Sequence, residues 1–172
     1  MASFLEWYII ERPFQGGPPP ASRVAISSDA RFSDEERRLA VHLATSHRSL
    51  FEIANVSDRG IEIDDLVGGA RFAVRERRST AGFEQDAVFE GRVLWDGQGM
   101  VFGKTFLFHP PDARGQVLEL VDRTGAGAAA GDPEGRARAT DDLLFRLSRL
   151  HVRWHRFNHT AAAKIYAGDG GA

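Results

Sequence analysis

The chain has 172 residues, of which 42% are hydrophobic and 27% charged, and these proportions indicate neither a disordered chain nor a membrane protein. Its net charge of −2 argues against a protein that coats nucleic acid over its whole surface. The absence of cysteine excludes disulfides, thiolate zinc sites and cysteine nucleophiles. The length fits one domain, which we predict to span residues 1–172.

The first predicted element is a short apolar helix from Phe4 to Ile10, which Pro13 stops. The GGPPP stretch at 16–20 continues neither helix nor strand, so this helix is a separate element. The opening residues carry acids where a signal peptide carries bases before its apolar stretch, and no segment reaches the ~20 apolar residues of a spanning helix. We therefore expect a cytoplasmic protein with no membrane partner.

A second helix is predicted by Ser33 and Glu36, which have the spacing of a capping box. Apolar residues follow at helical spacing, so we expect this helix to run from about Asp34 to Thr45. The two helices together make up an N-terminal helical part, residues 1–47.

Between residues 48 and 109 the apolar residues alternate with a period of two, which is typical of β-strands. The turns Asp58-Arg59-Gly60 and Asp96-Gly97 are typical of hairpins. The predicted strands lie near residues 49–56, 61–64, 72–76, 88–95 and 100–108. Five short strands joined in this way predict a small antiparallel β-barrel of SH3-like, OB-like or PilZ-like size.

After the barrel, Pro110 and Pro111 end the last strand and open a helix predicted for residues 110–123. Residues 124–137 contain no large apolar side chain, so we predict a flexible connector there.

The last predicted helix, residues 138–166, has the strongest helical pattern of the chain. Thr140 is its predicted N-cap. Apolar residues recur along it at spacings of four and three, namely Leu143, Leu147, Leu150, Trp154 and Phe157. The predicted fold class is therefore α+β: a five-stranded antiparallel barrel flanked by N-terminal helices and a long C-terminal amphipathic helix.

The same helix carries a row of arginines beside its apolar side, namely Arg146, Arg149, Arg153 and Arg156. Guanidinium groups in a row suit the phosphates of a nucleic acid or the carboxylates of a partner protein. The plainer interpretation is a solvated helix face whose arginines pair with acids of the same chain. All three interpretations stay open at this point.

Other residues resemble parts of catalytic or metal sites. The imidazoles of His151, His155 and His159 are four residues apart, but without a thiolate or an intervening Glu they lack a third ligand, so we expect no metal. Two pairs resemble acid/base partners, namely His109 with Asp112 and Asp64 with Asp65. Turn and cap roles are favoured for them, because the sequence has no serine-hydrolase, nucleotide or dinucleotide motif. We therefore expect no cofactor and lean against an enzyme.

Asn55, Ser57 and Gly60 fit the Asn-x-Ser-x-x-Gly pattern of PilZ domains. This resemblance implies binding of cyclic di-GMP, for which PilZ proteins also use an upstream Arg-x-x-x-Arg pair. Arg37 and Arg38 have no second arginine four residues on. An ordinary hairpin turn gives the same pattern, so a barrel that binds no nucleotide is the favoured alternative.

A broader resemblance rests on six segments in the same order, namely 4–13, 49–53, 63–69, 74–77, 106–111 and 156–166. They look like an uncharacterised family of bacterial proteins, some of whose relatives carry a zinc-binding SecA C-terminal motif. The resemblance implies a bacterial intracellular protein but no activity. Without cysteine, the chain cannot hold the zinc motif.

The leading hypothesis is a non-enzymatic bacterial binding or adaptor module, in which an unidentified protein partner contacts the arginine row. The alternative is binding of a nucleic acid or a cyclic dinucleotide, through that row or through the PilZ-like residues. Self-association is a further hypothesis, because an apolar helix face that its own barrel leaves uncovered would cover that of a neighbour.

Overall fold

The computed structural model describes residues 2–58, 60–75, 82–127, 133–157 and 159–168. Three helices precede the barrel: α1 (Ala2–Ile10), α2 (Pro20–Ala25) and α3 (Asp34–Ala44). The capping box is confirmed, since Ser33 Oγ accepts a hydrogen bond from the Glu36 amide and the Glu36 carboxylate accepts one from the Ser33 amide. Helix α2 was not predicted. It begins at a proline, which the first helical turn tolerates because a backbone N–H at that position, which proline lacks, would have no partner within the helix.

The predicted five-stranded barrel is confirmed. The strands are β1 (His47–Ser57), β2 (Gly60–Asp65), β3 (Arg71–Arg75), β4 (Val88–Trp95), β5 (Met100–Phe102) and β6 (Leu107–Phe108). The order β1-β2-β3-β5-β4 closes through pairing of β4 with β1, and β6 pairs with β4 on the same edge as β5, nearer the start of β4. The barrel is not wholly antiparallel, because β3 and β5 run parallel. Five strands cannot alternate direction around a closed ring, so one neighbouring pair must be parallel.

The interior of the barrel is filled by apolar side chains that alternate along the strands. The buried members of this core are Phe51, Ile53, Ile61, Ile63, Val74, Phe89 and Val93. Phe89 contacts several other aromatic rings, among them Phe51, at 5.6 Å between ring centroids, and Phe108, at 5.3 Å. These ring contacts occupy the interior, so the outer wall and its helices are where a site can form.

A second core lies between the barrel wall and the C-terminal helices. A 3-10 turn (Pro111–Ala113) leads to α4 (Arg114–Gly127), α5 (Pro133–Arg156) and α6 (Ala162–Ala167). Leu50 of β1 and Val88 of β4 face this core, where Leu147 and Tyr166 are also buried. Most of the predicted apolar face of α5 is therefore covered by its own chain, and self-association stays a prediction.

The C-terminal boundaries differ from the predicted ones. Both ends of the predicted connector lie in α4 and α5, and residues 128–132 are outside the described residues. Thr140 is not an N-cap: it lies inside α5, where its hydroxyl donates to the Arg136 carbonyl oxygen at 2.9 Å. Phe157 is not part of the buried face, because α5 ends at Arg156 and the Phe157 side chain is 57% exposed. Within the described ranges, no helix has both the length and the apolar character needed to cross a membrane.

Candidate functional site

The predicted arginine row lies on the side of α5 that faces away from the second core. Arg146 is half-buried, whereas the other three arginines are exposed. A shallow groove of about 480 Å³, here called the α5 groove, runs along this side. The residues that line it are Phe145, Ser148, Arg149, Val152, Arg153, Arg156 and Phe157. The structure therefore places three of the four predicted arginines in one groove, together with apolar side chains.

The α5 groove combines exposed apolar surface with positive charge. The exposed fractions of Phe145 and Val152 are 65% and 52%. In the described part of the chain, none of the ion pairs involves Arg149, Arg153 or Arg156. The pairing with acids of the same chain that the plainer interpretation requires is therefore not seen for these three among the described residues.

The PilZ-like residues lie on the β1–β2 hairpin. Asn55 and Ser57 are exposed, and the Ser57 hydroxyl donates to the Gly60 carbonyl oxygen at 3.1 Å. Gly60 has φ +140°, and a Cβ atom there would lie 2.5 Å from the carbonyl oxygen of Val74. The hairpin thus gives Ser57 and Gly60 a structural role, and nucleotide binding by this motif stays a prediction.

The three helical histidines are not brought together as a ligand set. The rings of His151 and His155 lie 4.6 Å apart between centroids, whereas His159 follows the end of α5. Among the described residues, no group of three His, Cys, Asp or Glu side chains could hold a metal ion.

Among the described residues, the two members of each predicted acid/base pair interact with different partners and not with each other. Asp64 pairs with Arg71 on the outside of the barrel, and the hydrogen bond from Arg71 lowers the pKa of this carboxyl. Asp65 points to the opposite side of the strand and is buried. Burial alone would raise the pKa of Asp65, but hydrogen bonds from groups that include the His47 ring nitrogen at 2.7 Å lower it below the usual value. Asp112 is exposed and faces the Ala163 amide.

His109 instead belongs to a buried polar cluster that the sequence analysis missed. Glu90 of β4 is 6% exposed, and the Ser148 hydroxyl lies 3.1 and 3.2 Å from its two carboxylate oxygens. Arg48 Nη2 and His109 Nε2 each lie 3.7 Å from this carboxylate. The Tyr166 hydroxyl is 3.0 Å from His109 Nδ1. We call these five residues the Glu90 cluster; its one sequence signal is a glutamate in the middle of a buried strand.

Burial sets the protonation of the Glu90 cluster. It raises the pKa of Glu90 to about 7, since Arg48 and Ser148 offset only part of the cost of burying the charge. Burial, together with the nearby His151, lowers the pKa of His109 to about 3, so this imidazole is neutral at pH 7. Burial also raises the pKa of Tyr166. At neutral pH the cluster therefore holds one group, Glu90, that readily gains or loses a proton.

A cleft of about 230 Å³, here called the β4 cleft, opens beside Glu90 between α1, β4 and α5. The charged residues that line it are Glu6, Glu11, Arg48, Glu90 and Arg92. Arg92 pairs with Glu11 and donates to Ser46 Oγ at 2.9 Å, and Arg48 Nη1 lies 3.3 Å from Glu11 Oε2. The cleft is thus a charged site with an ordered network on one side.

A protein-family model described as a family of unknown function (DUF7986) matches residues 1–136. The chain belongs to this family. The DUF7986 match includes all six strands and Glu90, and it ends before the residues of the α5 groove. Neither the curated proteins nor the solved structures include a significant match. The prediction of a family without an assigned activity is confirmed, whereas the SecA-related, PilZ-like and bacterial assignments stay predictions.

Proposed function

We propose that the protein is a binding module whose α5 groove takes an acidic amphipathic helix of a partner protein. The observation that supports this most directly is the combination of exposed Phe145 and Val152 with arginines that have no ion pair among the described residues. Large apolar side chains exposed beside arginines are the residue types that contribute most at protein interfaces.

The spacing of the groove suits a helical segment. Phe145 and Val152 are seven residues apart on α5, which corresponds to about 10.5 Å along the helix axis. A partner helix with apolar side chains at positions i and i+7 presents anchors at the same interval. Carboxylates next to those anchors would face Arg149 and Arg153, and a guanidinium group binds a carboxylate through two parallel hydrogen bonds.

The exposed apolar side chains of the α5 groove favour a protein partner over a nucleic acid. Phosphates would use the arginines of the α5 groove but would leave Phe145 and Val152 without a contact. Binding dominated by phosphates also weakens steeply with salt, whereas apolar anchors make binding less sensitive to it. Salt dependence therefore separates the proposal from the nucleic-acid alternative.

The test uses a synthetic helical peptide of about 15 residues with leucines at i and i+7 and glutamates beside them, measured by fluorescence anisotropy. A matched peptide carries lysine in place of every glutamate. Single-stranded RNA, duplex DNA and cyclic di-GMP are measured under the same conditions. Phe145→Ser and Arg153→Gln change the groove, and Arg38→Gln, an exposed arginine on α3, is the control.

We expect the acidic peptide to bind roughly tenfold or more tightly than the basic one. Phe145→Ser and Arg153→Gln should each weaken that binding, and Arg38→Gln should leave it unchanged. Equal affinities for the two peptides, or binding that Phe145→Ser leaves intact, would contradict the proposal. Steeply salt-dependent binding of RNA or DNA without peptide binding would replace it with the nucleic-acid alternative.

A further inference from the structure

The β4 cleft contains two buried polar atoms that find no hydrogen-bond partner among the described residues: Arg92 Nε and Thr105 Oγ1. The side chain of Arg92 is only 5% exposed, so water reaches it poorly. A buried donor without an acceptor is costly, and native proteins rarely keep one. Both residues line the cleft, so an oxygen acceptor of a bound molecule that reaches these two atoms would satisfy them.

The charges of the β4 cleft do not balance. Three carboxylates face two guanidinium groups, and Glu11 engages both Arg48 and Arg92. The guanidinium group next to ionised Glu90 is that of Arg48, whose Nη2 lies 3.7 Å from Glu90 Oε2, beyond hydrogen-bond distance. A ligand cation next to Glu90 would supply the missing positive charge.

The remaining walls and the size of the cleft limit the ligand. Trp7, Phe106 and Leu107 give it an apolar side. Its volume of about 230 Å³ is below the roughly 300 Å³ at which pockets for drug-sized molecules begin. The ligand is therefore a small molecule with one charged end and a short apolar part.

We propose that the β4 cleft binds a small organic amine that carries a neutral oxygen acceptor. Its ammonium group pairs with Glu90, its oxygen accepts from Arg92 Nε and Thr105 Oγ1, and its apolar part lies against Trp7 and Phe106. This site is separate in its chemistry from the α5 groove, which attracts carboxylates.

Binding of an amine is coupled to the loss of a proton. The pKa of Glu90 is about 7, so near neutral pH a large share of the molecules must release the Glu90 proton before an ammonium group can pair with the carboxylate. The charged or titratable groups around Glu90 are Arg48 from β1, His109 from the segment after β6 and Tyr166 from α6, and the Ser148 hydroxyl of α5 contacts its carboxylate. Neutral His109 does not titrate between pH 6 and 7, and an α-ammonium group with a pKa of about 8 stays mostly protonated in that range, so Glu90 sets the pH dependence there.

The experiment is calorimetric titration of the full chain with four related probes. Leucinamide carries the ammonium group and the oxygen; 4-methylpentanamide lacks the ammonium group, 3-methylbutylamine lacks the oxygen, and leucine has a carboxylate in place of the amide. Each is measured at about pH 6 and about pH 7, where the ammonium group of leucinamide stays mostly protonated, in buffers of different ionisation enthalpy, so that proton release is measured directly. The variants are Glu90→Gln, Thr105→Val and the control Arg38→Gln.

We expect leucinamide to bind roughly tenfold or more tightly than either truncated probe, with proton release that is larger at about pH 6 than at about pH 7. Glu90→Gln should abolish the preference for an ammonium group and the proton release, Thr105→Val should weaken binding, and Arg38→Gln should change neither.

No heat with leucinamide at about 10 mM would overturn the proposal. Equal binding of 4-methylpentanamide would also overturn it, as would stronger binding of leucine, which would assign the cleft to a carboxylate. Circular dichroism confirms that each variant is folded. The acidic-peptide titration is independent of all four probes, so the two proposals can fail separately.

Discussion

Replacing Glu90 by glutamine tests the electrostatics of the Glu90 cluster. Burial raises the pKa of Glu90 from 4.5 to about 7. Each tenfold change in proton affinity corresponds to about 1.4 kcal/mol, so the ionised carboxylate lowers the free energy of unfolding by on the order of 3 kcal/mol at pH 8. Glutamine is uncharged, and its amide oxygen can still accept the hydrogen bond from Ser148.

Proton linkage gives the direction in which Glu90 changes the free energy of unfolding as the pH rises. Between pH 4.5 and about 7 the folded chain holds the Glu90 proton more tightly than the unfolded chain does, so this residue lowers stability as the pH rises through that window. The window of His109 is different: its folded pKa is about 3, so its contribution rises with pH from about 3 to 6.5. The His109 contribution is the same in the wild type and in Glu90→Gln, so it cancels when their free energies of unfolding are compared.

We therefore expect the free energy of unfolding of Glu90→Gln to match that of the wild type near pH 4.5 and to exceed it by on the order of 3 kcal/mol at pH 8. Urea unfolding followed by circular dichroism across this range measures the difference. Glu84→Gln, at an exposed position, is the control and should follow the wild type. Parallel curves for Glu90→Gln and the wild type would refute the assignment of a raised pKa to Glu90.

Three further substitutions test the fold itself, each by urea unfolding. Asp65→Asn should lower the free energy of unfolding by about 2–4 kcal/mol at pH 7, because the buried carboxylate accepts a hydrogen bond from His47. This loss should shrink as the pH falls below about 4, and a loss that does not change with pH would contradict the lowered pKa of Asp65. Ser33→Ala should cost about 1 kcal/mol through loss of the α3 cap, and no change would mean that the cap is dispensable. Leu147→Ala should cost about 2–5 kcal/mol, whereas exposed Phe145→Ala should stay within about 0.5 kcal/mol.

The barrel could be predicted because its evidence is local. Alternation of apolar residues and hairpin turns are visible within a few positions, and the capping box of α3 needs only Ser33 and Glu36. The parallel pairing of β3 and β5 depends on closure of the whole ring, which no segment contains. The start of α5 was predicted too late because Thr140 is a frequent N-cap residue, yet in a helix interior its hydroxyl also bonds the preceding turn.

The Glu90 cluster could not be predicted in the same way, because its members are far apart in the chain. His109 was paired with Asp112 on the basis of proximity in sequence, whereas its hydrogen-bond partner is Tyr166, 57 residues away. Ser148 meets Glu90 across 58 residues. Only the packing of α5 and α6 on the barrel wall brings these groups together, and a single sequence carries no signal for that packing.

Ser148 links the two proposed sites. Its side chain lines both the β4 cleft and the α5 groove, and its hydroxyl lies against the Glu90 carboxylate. If an amine bound in the β4 cleft drew the Glu90 carboxylate toward itself, it would change the hydrogen bond that Ser148 makes, at the edge of the surface where the peptide would bind. Any resulting change in peptide affinity must be matched by an equal change in amine affinity when the peptide is bound, because the coupling free energy is shared. Phe145 and Arg153 line only the α5 groove, and Thr105 lines only the β4 cleft. A substitution at one of these residues therefore changes one site directly and leaves Ser148 unchanged, so an effect on ligand affinity at the other site would measure the coupling between them.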